Sequence, residues 1–467
     1  MLPQPHLRAR FAAPLLIVAL TLATGCSRIS CEQTFPQVTP IAVTSTTDEA
    51  DIAPGDGQCL TSSGGCSLRA ALQEANAFYP FLSVISLPPG TYPLTIPTVA
   101  PPIACGVGDT CAVNATENQT EIGDLDVKSS VCIVGRTRDG TIVSVQNSAV
   151  GRAFDVDPDA LGLEVILKNI TVQNGYVPPF VGIDPSSDNQ MLSYCEPDPT
   201  RPDDAAHQAA CKGGAIRNAG SLELIDTIVE DSAANNDGNG VHNTGPLAIS
   251  GSIIRDNQDN IGHGGGIYSE PASGTSVVVT NSAIHGNSTD LGGGISNHAS
   301  GMVLTNTTVS ANTAGNQAGG IVNTGGEINL NFVTVYGNTV NNAGFAGNLY
   351  SDGGTIVVNH SIVAGSLGAG ANCVAVNPGD IVELGASMDD TTGACPFTLT
   401  GVDPLLGPLD MAAFDTPIHV PTFTSPAINA AVNCADHTGT VVTSDQVGDP
   451  RPMPATGACD LGAREVP

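Results

Sequence analysis

Between residues 213 and 363 apolar and polar positions follow a long-range repeat. A glycine-rich turn leads into an aliphatic residue at Gly213-Gly214-Ala215-Ile216, Gly240-Val241, Gly264-Gly265-Gly266-Ile267, Gly292-Gly293-Gly294-Ile295, Gly319-Gly320-Ile321 and Gly347-Asn348-Leu349. The aliphatic residues are separated by steps of 25, 26, 28, 26 and 28. Periods of this size mark solenoids and arrays. Each turn is followed by a run of strict alternation rich in β-branched residues: 222–229, 247–254, 277–284, 302–309, 328–335 and 356–363. Alternation with period two predicts short strands and leaves no room for the helices of leucine-rich, ankyrin or tetratricopeptide repeats. The fold class expected is therefore all-β, a right-handed parallel β-helix solenoid with an aliphatic interior.

Two asparagine columns support stacking of the coils. Asn218, Asn243, Asn297 and Asn323 lie two residues after the repeat aliphatic, with Ser269 and Ser351 in the same slot; Asn257, Asn287, Asn312 and Asn338 form a second set. Stacked amides can bond from coil to coil and satisfy turn groups that would otherwise be orphaned. Residues 120–370 would make some ten coils, a rod of about 50 Å at the ~4.8 Å spacing of paired strands. The corner glycines would supply the positive φ angles of tight turns.

The ends of a solenoid need covering. Ser67 is placed to cap a short helix whose apolar stripe is Leu68, Ala71, Leu72 and Ala75. The segment 41–119 reads as an N-terminal cap region, and 371–467 as a C-terminal cap stapled by disulfides. Residues 176–211, rich in proline and aspartate, break the repeat and read as a lateral loop; long loops on rigid scaffolds often carry function.

The first residues have the three parts of an export signal: Arg8 and Arg10, an apolar stretch over 11–22 too short to span a bilayer, and small residues before Cys26. Leu22-Ala23-Thr24-Gly25-Cys26 resembles the bacterial lipobox, which implies a signal over 1–25, lipidation of Cys26 and a tether over 26–40. With Ser27 next, the resemblance implies an outer-membrane or cell-surface lipoprotein held to the membrane by its N-terminal lipid. The other twelve cysteines fall into close pairs, Cys59 and Cys66, Cys105 and Cys111, Cys195 and Cys211, Cys373 and Cys395, Cys434 and Cys459, leaving Cys31 and Cys132. Spacing does not fix connectivity, but export makes disulfides the default. No CxxC pair or cysteine–histidine cluster suggests zinc.

The formal charge of −30 argues against nucleic acid and anionic surfaces as partners. Calcium is the metal that such acidity could hold, but no EF-hand loop or nonapeptide repeat is present, so no cofactor or metal site is expected. Tryptophan is absent, which argues against a deep aromatic sugar cleft but not against a shallow polar surface.

Ile41 to Thr46 with Asp48, then Cys59, the run Cys66 to Asn76, Leu87-Pro88-Pro89-Gly90-Thr91-Tyr92 and Gly123-Asp124-Leu125-Asp126 resemble the CSLREA domain, with Ala70 where that family has glutamate. Near the C-terminus, Ser425 to Ala430, Asp445-Gln446, Asp449-Pro450-Arg451-Pro452 and Cys459 to Glu465 are similar to the choice-of-anchor Q domain. The glycine-turn coils resemble polymorphic outer-membrane protein repeats. These resemblances imply an exported β-helix and name no reaction.

Chemistry is weakly signalled. Gly262-His263-Gly264 looks like a polygalacturonase triplet, but the accompanying segments are missing, Asp256 and Asp259 are weak partners, and His263 merely precedes a glycine turn. Isolated cations such as Arg217 and Arg255 do not make a lyase site, and GxSxG and HExxH are absent. No catalytic residue is expected. A binding column is expected instead: Glu230, Arg255, His285, Ser310 and Tyr336 share one repeat position and should face outward along the rod. The function expected is adhesion or binding of an extracellular glycan or surface polymer without catalysis. The alternatives are a β-helical polysaccharide lyase or glycoside hydrolase with a divergent site, and a structural spacer.

Overall fold

Alternating aliphatic positions in a 25–28-residue period demand a fold in which each coil lays its strands on those of the last. In the computed structural model the described residues are 40–97, 123–146, 151–177, 181–183, 191–193, 212–259, 261–270, 275–298, 301–455 and 457–466. Cys26, Cys31, Cys105, Cys111, Cys195 and Cys211 lie outside them, as does the signal. The chain is an all-β parallel solenoid of about eight turns.

Among the described residues, three long parallel sheets of 11, 9 and 11 strands run along the rod. Sheet one contains Ser221–Ile225 and Leu247–Ser250, sheet two Ile216–Asn218 and Val241–Asn243, and sheet three Ile228–Glu230 and Ile253–Arg255. Each coil visits sheet two, then one, then three. A shorter four-stranded sheet containing Ser288–Leu291 and Thr313–Asn316 lies between sheets three and two.

The repeat aliphatics stack in register, Ile216 on Val241, Ile267, Ile295, Ile321 and Leu349. All six are fully buried. Residues 120–370 hold eight strands of sheet one rather than ten because one coil holds the insert: Glu164–Lys168 and Ser221–Ile225 are direct neighbours. The solenoid also starts earlier than residue 120, since Ser83–Leu87 pairs with Val131–Gly135 and Gly90–Leu94 with Thr141–Val145. Likewise Tyr176–Val177 belongs to the coils, paired with Ala233–Ala234, while Val181–Ile183 and Met191–Ser193 form an antiparallel hairpin.

Both asparagine columns are hydrogen-bonded ladders. Asn257, Asn287 and Asn312 each donate through Nδ2 to Oδ1 of the next rung at 3.0 Å, and the ladder continues past Asn338 to Asn348 and Asn372. The same oxygens accept the backbone N–H of the preceding rung, as from Asn287 to Asn312 at 3.0 Å. In the other column Asn218 donates to Asn243 at 2.7 Å and Asn297 to Asn323 at 2.8 Å. In the longer ladder both the oxygen and the nitrogen of each buried amide are thereby engaged, which is what burial of polar atoms requires.

The corners differ from the glycine expectation. Between sheets one and three the left-handed residue is Asn169, Asp226, Gly251, Asn281, Asn306, Phe332 or His360 in successive coils. Asparagine, aspartate and to a lesser degree histidine enter this region readily, whereas the bulky Phe332 does so with strain. Glycine governs the entry to sheet two. Gly264 has φ +66, and a Cβ on Gly293 would stand 2.4 Å from the Thr313 carbonyl oxygen of the next coil.

The N-terminal cap contains the helix Leu68–Ala77, with Ser67 Oγ accepting from the Ala70 N–H at 3.0 Å. The helix is buried beyond its apolar stripe. Arg69 is enclosed, with Nε 2.7 Å from Asp48 Oδ1, and Glu74 receives the N–H groups of Gly55 and Gly57. No helix among the described residues is long and apolar enough to cross a membrane.

Described disulfides join Cys59 to Cys66, Cys373 to Cys395 and Cys434 to Cys459, as paired from sequence. Cys132 is also disulfide-bonded.

The C-terminal region turns back along the outside of sheet three. Asn306 Nδ2 donates to the Ser444 carbonyl at 2.7 Å, Thr308 to Gln446 at 2.7 Å, and the Ala463 N–H to Thr334 Oγ1 at 3.0 Å. The Arg451 guanidinium lies 4.3 Å from the centre of the Phe332 ring and is 3.0 Å from Glu465, both side chains fully buried. Arg464 pairs with Asp445 at 2.6 Å. The charged residues behind the choice-of-anchor resemblance are thus tied to each other and to the coils.

The amide ladder carries a stability prediction. Asn312→Leu removes four side-chain hydrogen bonds and strands the buried Asn287 backbone N–H, which donates to Asn312 Oδ1. It should lower stability to urea by at least about 3 kcal/mol. Asn342→Ala, at the exposed 2.6 Å contact with Asn316, should change it by less than about 0.5 kcal/mol.

Candidate functional site

Sheet three was expected to display an open polar column. Glu230, Arg255, His285, Ser310 and Tyr336 do stand in register, but the returning C-terminal region covers the later half. Ser310 Oγ lies 2.8 Å from His419 Nε2, and the Tyr336 and His419 rings meet edge to face at 4.8 Å. His285 and Ser310 are buried. Burial, with the Arg255 charge and His419 behind it, takes the His285 imidazole down to about 4. Glu230 and Arg255 pair with each other, Nε to Oε2 at 2.7 Å. A continuous polymer track over these five residues is therefore not available. The return of the C-terminal region was invisible because its contacts span more than a hundred residues in sequence.

Sheet two carries a denser arrangement. In its shorter strands, such as Ile216–Asn218, Val241–Asn243 and Ile267–Ser269, the first and third residues belong to the aliphatic and amide columns, so the middle residue lies on the opposite side of the sheet, where most of these side chains are nonetheless buried. Register aligns Asp126, Asp155, Arg217, His242, Tyr268, Ser296, Val322 and Tyr350 along this face. Lys212, Asp237 and His263 reach it from the glycine-turn side, and Glu270 and His298 from the strands' far ends.

Around Tyr268 the groups interlock. Lys212 Nζ is 2.7 Å from Glu270 Oε1 and 3.3 Å from Asp237 Oδ2, and 5.3 Å from the centre of the Tyr268 ring, within cation–π range. The Tyr268 hydroxyl donates to Glu270 Oε2 at 3.0 Å, and His242 Nε2 is 3.1 Å from Glu270 Oε1. The Tyr268 ring stacks with His242 at 5.3 Å and with His263 at 5.8 Å, and meets His298 at 4.8 Å. His298 is held at both nitrogens, Nε2 by Ser296 at 2.9 Å and Nδ1 by Thr324 at 2.8 Å. His263 Nδ1 approaches Asp237 Oδ1 at 3.2 Å. Earlier along the face Arg217 pairs with Asp155, and Arg152 reaches both Asp124 and Asp155 at 3.1 Å.

Electrostatics follow from this geometry. Burial would raise the Glu270 carboxyl, but the hydrogen bonds from His242 and Lys212 and the Lys212 charge outweigh it and hold the group well below the usual carboxylate range. Burial, then the charges of Asp237 and Glu270, push the Tyr268 phenol far up. Burial and the neighbouring His263 bring His298 down to about 4, and burial lowers His242. Asp126 is raised to about 9 by burial and by the charges of Asp124 and Asp155. Among the described residues no group of three or more histidine, cysteine, aspartate or glutamate side chains is arranged to hold a metal ion.

His263, read as a residue that only precedes a glycine turn, thus belongs to a ring cluster. Arg217 is not isolated, being paired to Asp155. Asp256 sits in the corner after sheet three, its Oδ2 3.9 Å from Arg255 Nε. The cluster did leave a sequence signal, namely the residue between each repeat aliphatic and its asparagine or serine: Arg217, His242, Tyr268, Ser296, Val322 and Tyr350.

No family model matches the chain, and no curated protein matches it. Two solved structures do. The crystal structure of pectate lyase Pel9A matches at 15% identity and TM-score 0.43, covering 92% of this chain and 98% of that one. The structure of rice weevil pectin methyl esterase matches at 13% identity and TM-score 0.26, covering 75% and 86%. At these scores neither bears on the chemistry of this chain.

The ion network yields a pH-dependent prediction. Glu270 is held below its unfolded value, so its contribution is present above the unfolded pKa and is lost as pH falls through the folded one. Lys212→Met should destabilise the protein by about 2–3 kcal/mol at pH 7, since it leaves two carboxylates without their cation. The melting-temperature gap to the parent should narrow steadily below pH 4.

Proposed function

We propose that this chain is an exported, lipid-anchored β-helix that binds a glycan or another extended surface polymer on the outer face of sheet two, without catalysing a reaction. The observation that carries the reading is the closure of the Tyr268 cluster upon itself. Proton-transfer catalysis needs a group whose pKa lies near the working pH and which is available to the substrate. Here Glu270 stays ionised, Tyr268 stays protonated, and both nitrogens of His298 are engaged. Fixed rings with polar edges and a carboxylate held in one orientation suit recognition, because little freedom is lost on binding. Coils about 4.8 Å apart let such a surface follow a polymer along the rod.

Anchoring at Cys26 and placement at the outer membrane or cell surface belong to the same proposal. Its support is the apolar stretch at 11–22 before a lipobox-like Cys26 and the described disulfides, which persist in oxidising compartments. Cys26→Ser should move the protein from the membrane fraction to the soluble one and abolish incorporation of a labelled fatty acid. Unchanged labelling would refute the anchor.

For the site, the soluble protein should retain polysaccharides on a glycan array while releasing neither reducing ends nor unsaturated products. Tyr268→Ala should weaken binding at least about tenfold, and Arg255→Ala, on sheet three, should leave it unchanged. Product release, or binding indifferent to Tyr268→Ala, would refute it.

A further inference from the structure

Among the described residues the sheet-two face has spare hydrogen-bond acceptors and no spare cation, and that imbalance selects among glycans. We propose that the Tyr268 cluster takes an uncharged, hydroxyl-rich glycan and discriminates against uronate polymers; the inference rests on the reading above that this face binds a glycan.

The first argument is charge. A polymer of uronic acids needs a cation left over for its carboxylates, as arginine or lysine supplies at carboxylate-binding surfaces. Among the described residues the cations of this face are Lys212, Arg152, Arg217 and Lys128, and each contacts protein carboxylate: Lys212 meets Glu270 and Asp237, Arg217 meets Asp155, Arg152 meets Asp124 and Asp155, and Lys128 meets Asp159. Five carboxylates stand against four cations before Asp126 is considered. Around them lies a chain of formal charge −30, which repels a polyanion before contact.

The second argument is the direction of the hydrogen bonds. Glu270 Oε1 is an acceptor, so the His242 Nε2 beside it at 3.1 Å bears the proton. His242 Nδ1 then carries a lone pair. That atom has no hydrogen-bond partner, and its side chain is only 3% exposed. Glu270 is itself 33% exposed and has room to accept more than the bonds it already receives from Tyr268, Lys212 and His242. A buried acceptor without a donor, beside a carboxylate at the surface, calls for O–H groups. A uronate carboxylate brings further acceptors and matches neither.

The third argument is shape. His263, 32% exposed, is the outer member of a ring stack that runs through Tyr268 to His242. A flat polar-edged ring at the surface suits the C–H face of a neutral pyranose, whose hydroxyls then point sideways to the carboxylate and imidazole.

The test is calorimetric titration of the whole soluble protein with six-residue oligomers of β-1,4-glucose, β-1,4-xylose, α-1,4-glucose and β-1,4-mannose, and with hexagalacturonate, at 20 and 300 mM NaCl. At least one neutral oligomer should bind, with a Kd that changes less than about twofold between the two salt concentrations. Hexagalacturonate should bind at least about thirtyfold more weakly. His242→Phe keeps a flat ring on Tyr268 and removes the acceptor, so it should weaken the neutral ligand at least about fivefold. If that variant melts at a lower temperature, Glu270→Gln should produce a loss of the same order. Preferential, salt-sensitive binding of hexagalacturonate would overturn the inference and leave the glycan-binding reading standing. Binding of none of these probes, nor of any glycan on the array, would overturn both.

Discussion

Hydrogen bonding from coil to coil is the constraint on which the rest of this structure depends. In a solenoid every turn lies against another turn, so polar groups that a loop would ordinarily give to water are enclosed. The amide ladder from Asn257 to Asn372 meets this demand. Each rung uses its oxygen to accept backbone and side-chain N–H from one neighbour and its nitrogen to bond a carbonyl and the next amide. Because the bonding partner is always one coil away, the ladder ties register to composition: a slipped coil would face asparagine with aliphatic side chains. The same logic turns any repeat position into a column, and this is how residues 25–28 apart in sequence become neighbours about 4.8 Å apart.

The column principle explains both what covers sheet three and what is displayed on sheet two. At the corner between sheets one and three most coils use asparagine, aspartate or glycine in the left-handed conformation. Phe332 and His360 depart from this, and both meet the C-terminal region: Arg451 lies over the Phe332 ring, and His360 Nε2 is 3.2 Å from Asn433 Oδ1. A bulky side chain in a strained corner is retained where something packs on it. The return segment then consumes the outward positions of sheet three. On sheet two the outward positions among the described residues hold rings and charges instead, packed closely enough that His242 and Tyr268 are buried.

Much of the architecture was legible because period and alternation report directly on stacking and burial. Ile267, Ile295 and Ile321 form one buried column, the asparagines form ladders, and Ser67 caps its helix through the Ala70 N–H. The number of turns was less legible, since an average period cannot show that one coil from Lys168 to Ser221 spans an insert. The column from Glu230 to Tyr336 was correctly aligned, yet alignment says nothing about what folds back over it. Thr308 and Gln446 meet only in three dimensions. The Tyr268 cluster was missed for a related reason. Its members occupy three different repeat positions, Tyr268 and His242 in the strand, Lys212, Asp237 and His263 before it, Glu270 and His298 after it, and a search along single positions separates them.

The composition of that cluster also follows from its place in the coil. A three-residue strand turns one side chain away from the core, so a solenoid face can offer only a single file of groups unless the flanking turns contribute. Lys212, Asp237, Glu270 and His298 widen the file on both sides of Tyr268, and their charges would repel or wander if left alone at a surface where exposed pairs contribute little. Partial burial by the stacked rings changes this balance: Lys212 lies between two carboxylates and over a ring, and Glu270 is held by three donors. The face is thereby rigid without the deep pocket that a tryptophan-rich site would need. Its rigidity is bought with groups that are already satisfied, and the atoms left over, His242 Nδ1 and the outer side of the Glu270 carboxylate, are those through which it can still choose a partner.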